Sequence, residues 1–212
     1  REEHSSRQTE RNLLSIKDAR GKKLFTDWKN LELFKPLKPG LHHLKELDLN
    51  ILSNYIDWTF FFFSWKLSGK YPAIFSDPVK GVEARKLFDE AQVYLKEIID
   101  RKLLTARAVF GLFPAVSEGD DVKVYADNTK KELKAIFRFL RNQEPKDKDV
   151  PNLCLSDYIA PESSSLTDHI GAFVVTADID KEAMGKYNED DYASIMIRIL
   201  TDRLAEAAAE WL

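Results

Sequence analysis

The densest aromatic segment of the chain is YIDWTFFFFSWKLSGKYPAIF, residues 55–75. It holds nine aromatic residues in 21 positions, whereas aromatic residues make up 11% of the whole 212-residue sequence. Aromatic side chains bring a large area out of water when they are buried. The segment is therefore predicted to lie at the centre of the hydrophobic core or to line a pocket.

A single carboxylate, Asp57, lies within this aromatic segment. A carboxylate among aromatic side chains is costly unless it is paired or hydrogen-bonded, so it requires a cation, a backbone donor or a ligand. From the residue type alone, two interpretations of Asp57 stay open. It is either a helix N-cap or structural pair, or it contacts a ligand.

The segment that follows is predicted to form an amphipathic helix. Asp77 suits the N-cap and Pro78 tolerates the first helical position, so the helix is predicted to begin there. Apolar residues between Val82 and Ile99 recur mostly at three- and four-residue spacing. This spacing is typical of a helix that buries one apolar stripe against a core.

The middle of the chain is predicted to contain both strands and a further helix. ARAVFGLFPA and VKVYAD have strand patterns and are joined by the turn EGDD, which predicts a hairpin. Residues 129–144 are predicted to form a second helix, with Leu133, Ile136, Phe137 and Leu140 on one face. LCLSDYIA and HIGAFVVTAD are predicted as strands. This mixture of helices and strands indicates an α+β fold.

The last segment, from about residue 181 to 212, is predicted to be helical. Its apolar stripe repeats every four residues, and the opposite face carries Arg198, Asp202, Glu206 and Glu210. Such a charged face is usually solvated, although two acids one turn apart can bind a cation of a partner.

The charge balance and the cysteine count exclude several classes of protein. The 32 Lys and Arg residues against 35 Asp and Glu give a net charge of −3, which argues against nucleic-acid binding. No stretch is apolar enough to span a membrane, and the charged N-terminus is unlike a secretory signal. The single cysteine, Cys154, fits a reducing compartment, so a cytoplasmic protein is predicted.

The common catalytic motifs are absent, because no GxGxxG, GxxxxGK[ST], HExxH, CxxC or GxSxG occurs. His42 and His43 are adjacent and point in different directions, so they suit a metal poorly and are predicted to be exposed loop residues. His169, beside Asp168, is predicted to make a structural hydrogen bond. The thiol of Cys154 is predicted to be unreactive and to serve only in packing.

Six blocks of the sequence resemble, in order, the reactivation domain of cobalamin-dependent methionine synthase. They are YIDWTFFFFSWKLSGKYP, GVEARKLFDEA, GLFPA followed by GDD, CLSDYIAP, DHIGAFVVT and DDYASIMIRILTDRLAEAAAEWL. Together they cover about residues 50 to 212. Six matching blocks in the same order are far more specific than any single short motif. The resemblance implies an α+β fold in which helices pack around a bent antiparallel sheet.

The resemblance also implies a function. The family's domain binds S-adenosylmethionine (AdoMet) and supports reductive methylation of cob(II)alamin to methylcobalamin, with an electron from flavodoxin or an equivalent reductase. The parent enzyme makes methionine from homocysteine and methyltetrahydrofolate. Cobalamin is implied to be bound by a neighbouring domain, and zinc to belong only to another domain of that enzyme.

Three site residues are implied by the family's motifs. The AdoMet-binding aspartate of the YIDW phrase corresponds to Asp57, where it can accept a charge-assisted hydrogen bond from the α-ammonium group. The acids of the DRLAE phrase correspond to Asp202 and Glu206, which are expected at the interface with the cobalamin domain. No residue of this chain is implied to be a catalyst or a metal ligand.

One expected motif is missing. The sequence ends at Trp211-Leu212 within an apolar helical pattern and contains no RPAPGY run, the family's main AdoMet motif. The arginine of that motif pairs with a ligand carboxylate, which is a strong interaction. We therefore expect a C-terminal part of the domain to be missing, and this chain alone to bind AdoMet weakly or not at all, although the parent protein binds it.

The resemblance predicts two regions along the chain. Residues 1–30 are expected to be a helical linker from a preceding cobalamin-binding domain, and residues 31–212 the reactivation domain without its C-terminal part. The isolated chain is expected not to be catalytic by itself. An alternative of a different class is a docking module that holds a cobalamin domain or a reductase without binding AdoMet itself.

Overall fold

The computed structural model describes residues 12–187 and 189–212 of the chain. The predicted linker, residues 1–30, is therefore described only from residue 12 onwards. The chain divides into two compact units, which are treated separately. Of the described residues, unit 1 comprises 12–40 and 111–172, and unit 2 comprises 41–110, 173–187 and 189–212.

The described residues form helices and strands that confirm the predicted α+β class. The α-helices are α1 (Ile16–Gly21), α2 (Leu49–Ser53), α3 (Trp58–Ser64), α4 (Gly81–Asp100), α5 (Lys181–Gly185) and α6 (Asp191–Trp211). The strands are β1 (Gly40–Leu44), β2 (Leu104–Glu118), β3 (Asp121–Tyr125), β4 (Leu133–Arg138) and β5 (Asp168–Ile179). Short 3₁₀ helices span Ala73–Ser76, Leu155–Tyr158 and Glu162–Ser164.

Unit 2 contains the larger hydrophobic core. The aromatic segment supplies Phe61 and Phe62 to this core, where both side chains are fully buried. The long helices α4 and α6 contribute their apolar stripes, as their periodicity predicts. None of the helices in the described ranges is both long and apolar enough to cross a membrane.

Unit 1 is organised around the hairpin predicted from the sequence. β2 and β3 pair in antiparallel register, with Ala115 opposite Val124 and Glu118 opposite Asp121. Within the five-stranded sheet, β3 is followed by β4, and β1 and β5 are both neighbours of β2. A small core forms around Ala115, Val122 and Val124. The predicted strand HIGAFVVTAD is confirmed as part of β5.

The predicted helix over residues 129–144 is wrong, because β4 occupies its centre and pairs antiparallel with β3. Its four apolar residues do not form a buried face, since Leu133, Ile136, Phe137 and Leu140 are all substantially exposed. Three- and four-residue spacing over so short a run fits a helix or a strand. Here the hydrogen bonds to β3 decide the outcome.

Other local predictions also need correction. His42 and His43 belong to β1 rather than to a loop, and the His42 ring stacks on Phe110 with centroids 4.7 Å apart. Asp77 is not the N-cap of α4, which begins at Gly81; its Oδ1 accepts hydrogen bonds from the backbone N–H groups of Val79 and Lys80 in the turn that leads into the helix. The region 181–212 is helical but consists of two helices, α5 and α6.

The predicted strand LCLSDYIA is also wrong, because Leu155–Tyr158 forms a 3₁₀ helix. Its turn is held by Asp157, whose Oδ2 accepts a hydrogen bond from the backbone N–H of Cys154 at 3.0 Å. The Cys154 side chain is buried and free of a disulfide. Its burial agrees with the packing role predicted for it.

A buried ion network holds the segments of unit 1 together. Arg141, with a side chain only 1% exposed, donates to Asp157 at 2.6 and 2.7 Å and to Asp120 at 2.8 and 3.0 Å. Arg20 of α1 also donates to Asp120, at 2.7 Å. In the same region, the backbone N–H of Asn152 donates to the carbonyl of Lys22. The described part of the predicted linker is therefore attached to unit 1.

We predict that Arg141→Met lowers the free energy of unfolding by about 3–5 kcal/mol, because it removes the arginine that pairs with buried Asp157 and one of the two arginines that donate to Asp120. Arg138→Met is the matched control, since the Arg138 side chain is 77% exposed and lies 3.5 Å from Asp121. An exposed pair of this kind contributes less than about 1 kcal/mol. Urea unfolding of both variants measures the difference, and equal losses would contradict a structural role of the buried network.

The network also predicts a dependence of stability on pH. Burial by itself raises the pKa of Asp120, but the hydrogen bonds from Arg20 and Arg141 outweigh it and hold the pKa below the ordinary 3.8. The folded state binds the carboxyl proton of Asp120 more weakly than the unfolded state does. The stability that the ionised Asp120 contributes is therefore present above about pH 4 and is lost as the pH falls further. The stability gap between wild type and Arg141→Met should therefore narrow below about pH 4 in urea titrations.

Candidate functional site

The first part of the candidate site is the beginning of α3. Asp57 is the N-cap of this helix, and its Oδ1 accepts a hydrogen bond from the backbone N–H of Thr59 at 2.8 Å. The structure therefore bears out the N-cap interpretation. A carboxylate has two oxygens with several acceptor positions, so capping and a contact to a ligand are compatible.

The helix that Asp57 begins has two faces with different environments. Phe61 and Phe62 point into the core of unit 2, whereas Phe60 and Phe63 are 54% and 49% exposed. The two exposed rings pack against each other at 6.0 Å between centroids. Residues three apart lie on the same side of a helix, so Asp57 and Phe60 share an edge of α3. The run FFFF thus serves both the core and an aromatic surface.

The second part of the site is α6, which packs against α3 within unit 2. Met196, Leu200 and Leu204 are fully buried and fix the orientation of this helix. Asp202 and Glu206, one turn apart, are exposed on its surface, as the sequence predicts.

At the N-terminal end of α6, Tyr192 donates a hydrogen bond to Glu90 of α4. Burial, together with that hydrogen bond, raises the pKa of Tyr192.

Arg203 connects the two helices and is a residue that the sequence reasoning missed. Its guanidinium donates to both carboxylate oxygens of Glu206 at 2.6 Å and lies 6.0 Å from the centroid of the Phe60 ring. The side chain is only 12% exposed, although its neighbour Asp202 and its partner Glu206 are exposed on the charged face of α6. The four-residue spacing that drew attention to Asp202 and Glu206 passes over Arg203, because its partner Phe60 lies on another helix.

The structure therefore brings the predicted residues together unequally. Glu206 is linked to α3 through Arg203, and Asp202 lies one turn before Glu206 on the same helix. Asp57 belongs to the same unit, one turn before Phe60. We define this group, Asp57, Phe60, Phe63, Arg203 and Glu206, as the α3–α6 surface.

The remaining polar candidates do not form a metal site. Over residues 12–187 and 189–212, no group of three or more His, Cys, Asp or Glu side chains is arranged to hold a metal ion. The backbone N–H of His169 donates to Asp168, but the ring Nδ1 is buried without a hydrogen-bond partner in the described part of the chain. The hydrogen bond at His169 is thus made by its backbone. Burial lowers the pKa of the His169 ring.

Comparison with known protein families agrees with this arrangement of helices and strands. Residues 48–212 match the family described as the activation domain of vitamin B12-dependent methionine synthase. The match includes every residue of the α3–α6 surface and covers well over half of the chain. The chain therefore belongs to this family, whose parent enzyme is a methyltransferase.

A solved structure supports the same assignment. The crystal structure of the MetH reactivation domain bound to AdoHcy is 40% identical in sequence to this chain and superposes with a TM-score of 0.86. The match covers 94% of this chain and 62% of the MetH chain. The chain thus spans less than two thirds of the length of that structure. At this identity, the shared fold and the family relationship are both established.

The capping role of Asp57 leads to a stability prediction. Asp57→Ala is expected to lower the free energy of unfolding by about 1 kcal/mol, because Ala cannot accept the hydrogen bond from Thr59. Asp57→Asn should stay within a few tenths of a kcal/mol of wild type, since Asn and Asp cap helices about equally well. Urea unfolding tests both variants. A similar loss in both would show that the charge of Asp57, rather than its capping oxygen, stabilises the fold.

Proposed function

We propose that this chain binds AdoMet on the α3–α6 surface and acts as the reactivation domain of a cobalamin-dependent methionine synthase. The observation that carries the proposal is the exposed combination of carboxylates and aromatic rings on helices that match the family. The AdoHcy bound by the 40% identical MetH domain supports the choice of ligand, because AdoHcy is AdoMet without its transferable methyl group.

The residues present suit the chemistry of AdoMet. This ligand carries an α-ammonium group and a sulfonium, both cationic, and an adenine ring. The carboxylate of Asp57 can accept a charge-assisted hydrogen bond from the α-ammonium group, which is stronger than a neutral one. The negative charge of Glu206 can attract the sulfonium, which has no hydrogen to donate. Phe60 and Phe63 offer exposed aromatic surface. Favourable contact between an aromatic ring and a cation or another ring adds about 0.5–1.5 kcal/mol.

The contribution of the chain to reactivation is binding and orientation. Cobalamin, held by a neighbouring domain, supplies the methyl-accepting and redox chemistry of the cobalt. The α3–α6 surface would hold the methyl donor in a fixed orientation towards that domain, which is how positioning accelerates a transfer between two bound groups. The chain by itself is then not catalytic.

The proposed partners follow from the same role. Asp202 and Glu206 are exposed on α6, so they are available to a docked cobalamin-binding domain of the same enzyme. The electron for reductive methylation would come from flavodoxin or an equivalent reductase. We also propose that residues 1–30 connect to the cobalamin domain and that residues 31–212 belong to the AdoMet-binding domain.

Calorimetric titration of AdoMet tests the proposal. It is applied to the 212-residue chain and to an extended chain in which the family's arginine motif follows Leu212. We expect tight binding only by the extended chain, because the arginine pairs with the carboxylate of the ligand. Tight binding by the short chain would show that the motif is dispensable. Absence of binding by both would contradict AdoMet binding and favour the docking module.

Asp57→Asn isolates the charge of Asp57 from its capping role. In the extended chain, this variant should weaken AdoMet binding about tenfold or more, which corresponds to about 1.4 kcal/mol. Asp48→Asn is the matched control, because Asp48 caps α2 in the same way, with its Oδ1 accepting from the backbone N–H of Asn50 at 2.8 Å. Unchanged affinity in folded Asp57→Asn, or an equal loss in Asp48→Asn, would remove Asp57 from the site.

A further inference from the structure

Glu206 is an exposed carboxylate with a fixed position. Its side chain is 61% exposed, yet both of its oxygens accept hydrogen bonds of 2.6 Å from Arg203. Exposed ion pairs usually contribute little, because two long side chains lose rotamer freedom when they are held in one geometry. This pair differs because only one of its members is exposed.

The fixed member is Arg203, whose side chain is 12% exposed. Its guanidinium faces the ring of Phe60, and its Nε is buried without a hydrogen-bond partner in the described residues. Packing therefore restricts this arginine before it meets Glu206. A planar guanidinium that is already restricted loses little further entropy on binding a carboxylate through two parallel N–H groups.

We infer that Arg203 is a positioning residue for AdoMet binding. It holds the carboxylate of Glu206 at one place on the α3–α6 surface and ties that place to Phe60, close to the end of α3 that Asp57 caps. Arg203 acts through Glu206 and does not need to touch the ligand. The inference rests on the proposed function, and it gives a role to the arginine of the DRLAE phrase, to which neither the resemblance nor the spacing of the acids assigns one.

Lysine cannot take over this role. Its ammonium is a single point of charge and lacks the planar pair of N–H donors that holds both oxygens of a carboxylate. Arg203→Lys thus keeps the net charge of the surface but releases Glu206. Glu206→Asp has the converse effect, since it keeps the carboxylate and Arg203 but draws the oxygens back by one methylene.

A double-mutant cycle separates positioning from a structural role. AdoMet affinity is measured by calorimetry in the extended chain for wild type, Arg203→Lys, Glu206→Gln and the double variant. We expect Arg203→Lys to weaken binding about tenfold in wild type and to have no further effect in the Glu206→Gln background. If Arg203 had only a structural role, Arg203→Lys would weaken binding equally in the wild-type and Glu206→Gln backgrounds. Arg198→Lys, on the exposed face of the same helix, is the control and should bind as wild type does.

The outcomes distinguish this inference from the function on which it rests. If the wild-type extended chain does not bind AdoMet, both fail. If it binds AdoMet and Arg203→Lys has no effect, or has the same effect in both backgrounds, only the positioning role is overturned. If Arg203→Lys does not fold, Glu206→Asp decides: an affinity loss of about tenfold supports positioning, and wild-type affinity overturns it.

Discussion

The candidate site depends on the burial of Phe61 and Phe62 in the core of unit 2. Both side chains are fully buried, and the core also contains the apolar stripe of α6. Burying a phenylalanine contributes about 1.5–3 kcal/mol, so these two rings determine how α3 is rotated about its axis. Any other rotation would expose them. Because this rotation is fixed, Phe60 and Phe63 must face outwards, and Asp57 must begin the helix at its exposed end.

The same constraint explains why an aromatic surface beside α6 is stable. Exposed aromatic rings are unfavourable in water unless another group covers them, and clusters of such rings often mark binding sites. Here Phe60 also supports Arg203, which in turn holds Glu206. A hydrophobic core, a helix cap and an ion pair therefore converge on one surface. In the proposed function, its carboxylates and rings contact the cationic groups and the adenine of AdoMet.

The sequence predicts those elements whose periodicity is long. α4, α6 and the β2–β3 hairpin follow from their apolar patterns, and the N-cap at Asp57 is one of the two interpretations that its residue type leaves open. Prediction from the sequence fails where segments elsewhere in the chain determine the local structure. β4 is a strand because β3 pairs with it, and Leu155–Tyr158 is a 3₁₀ helix whose Asp157 is held by Arg141. Neither β3 nor Arg141 lies within the short segment whose pattern gave the wrong prediction.

The site is predicted only in part for the same reason. Asp57, Asp202 and Glu206 come from motifs that are continuous in sequence, so a resemblance to the family is enough to propose them. Arg203 acquires its role from Phe60, which lies more than a hundred residues earlier in the chain. Only the packing of α6 against α3 brings the two together.

The most direct test of the α3–α6 surface as the AdoMet site is a nuclear magnetic resonance titration. AdoMet is added up to millimolar concentration to the ¹⁵N-labelled extended chain, in which the family's arginine motif follows Leu212, so that even weak binding is detected. We predict that the amide signals of residues 57–60 and 202–206 shift together and saturate with one dissociation constant. Shifts confined to unit 1, or none at saturating AdoMet, would contradict the location and the ligand proposed here.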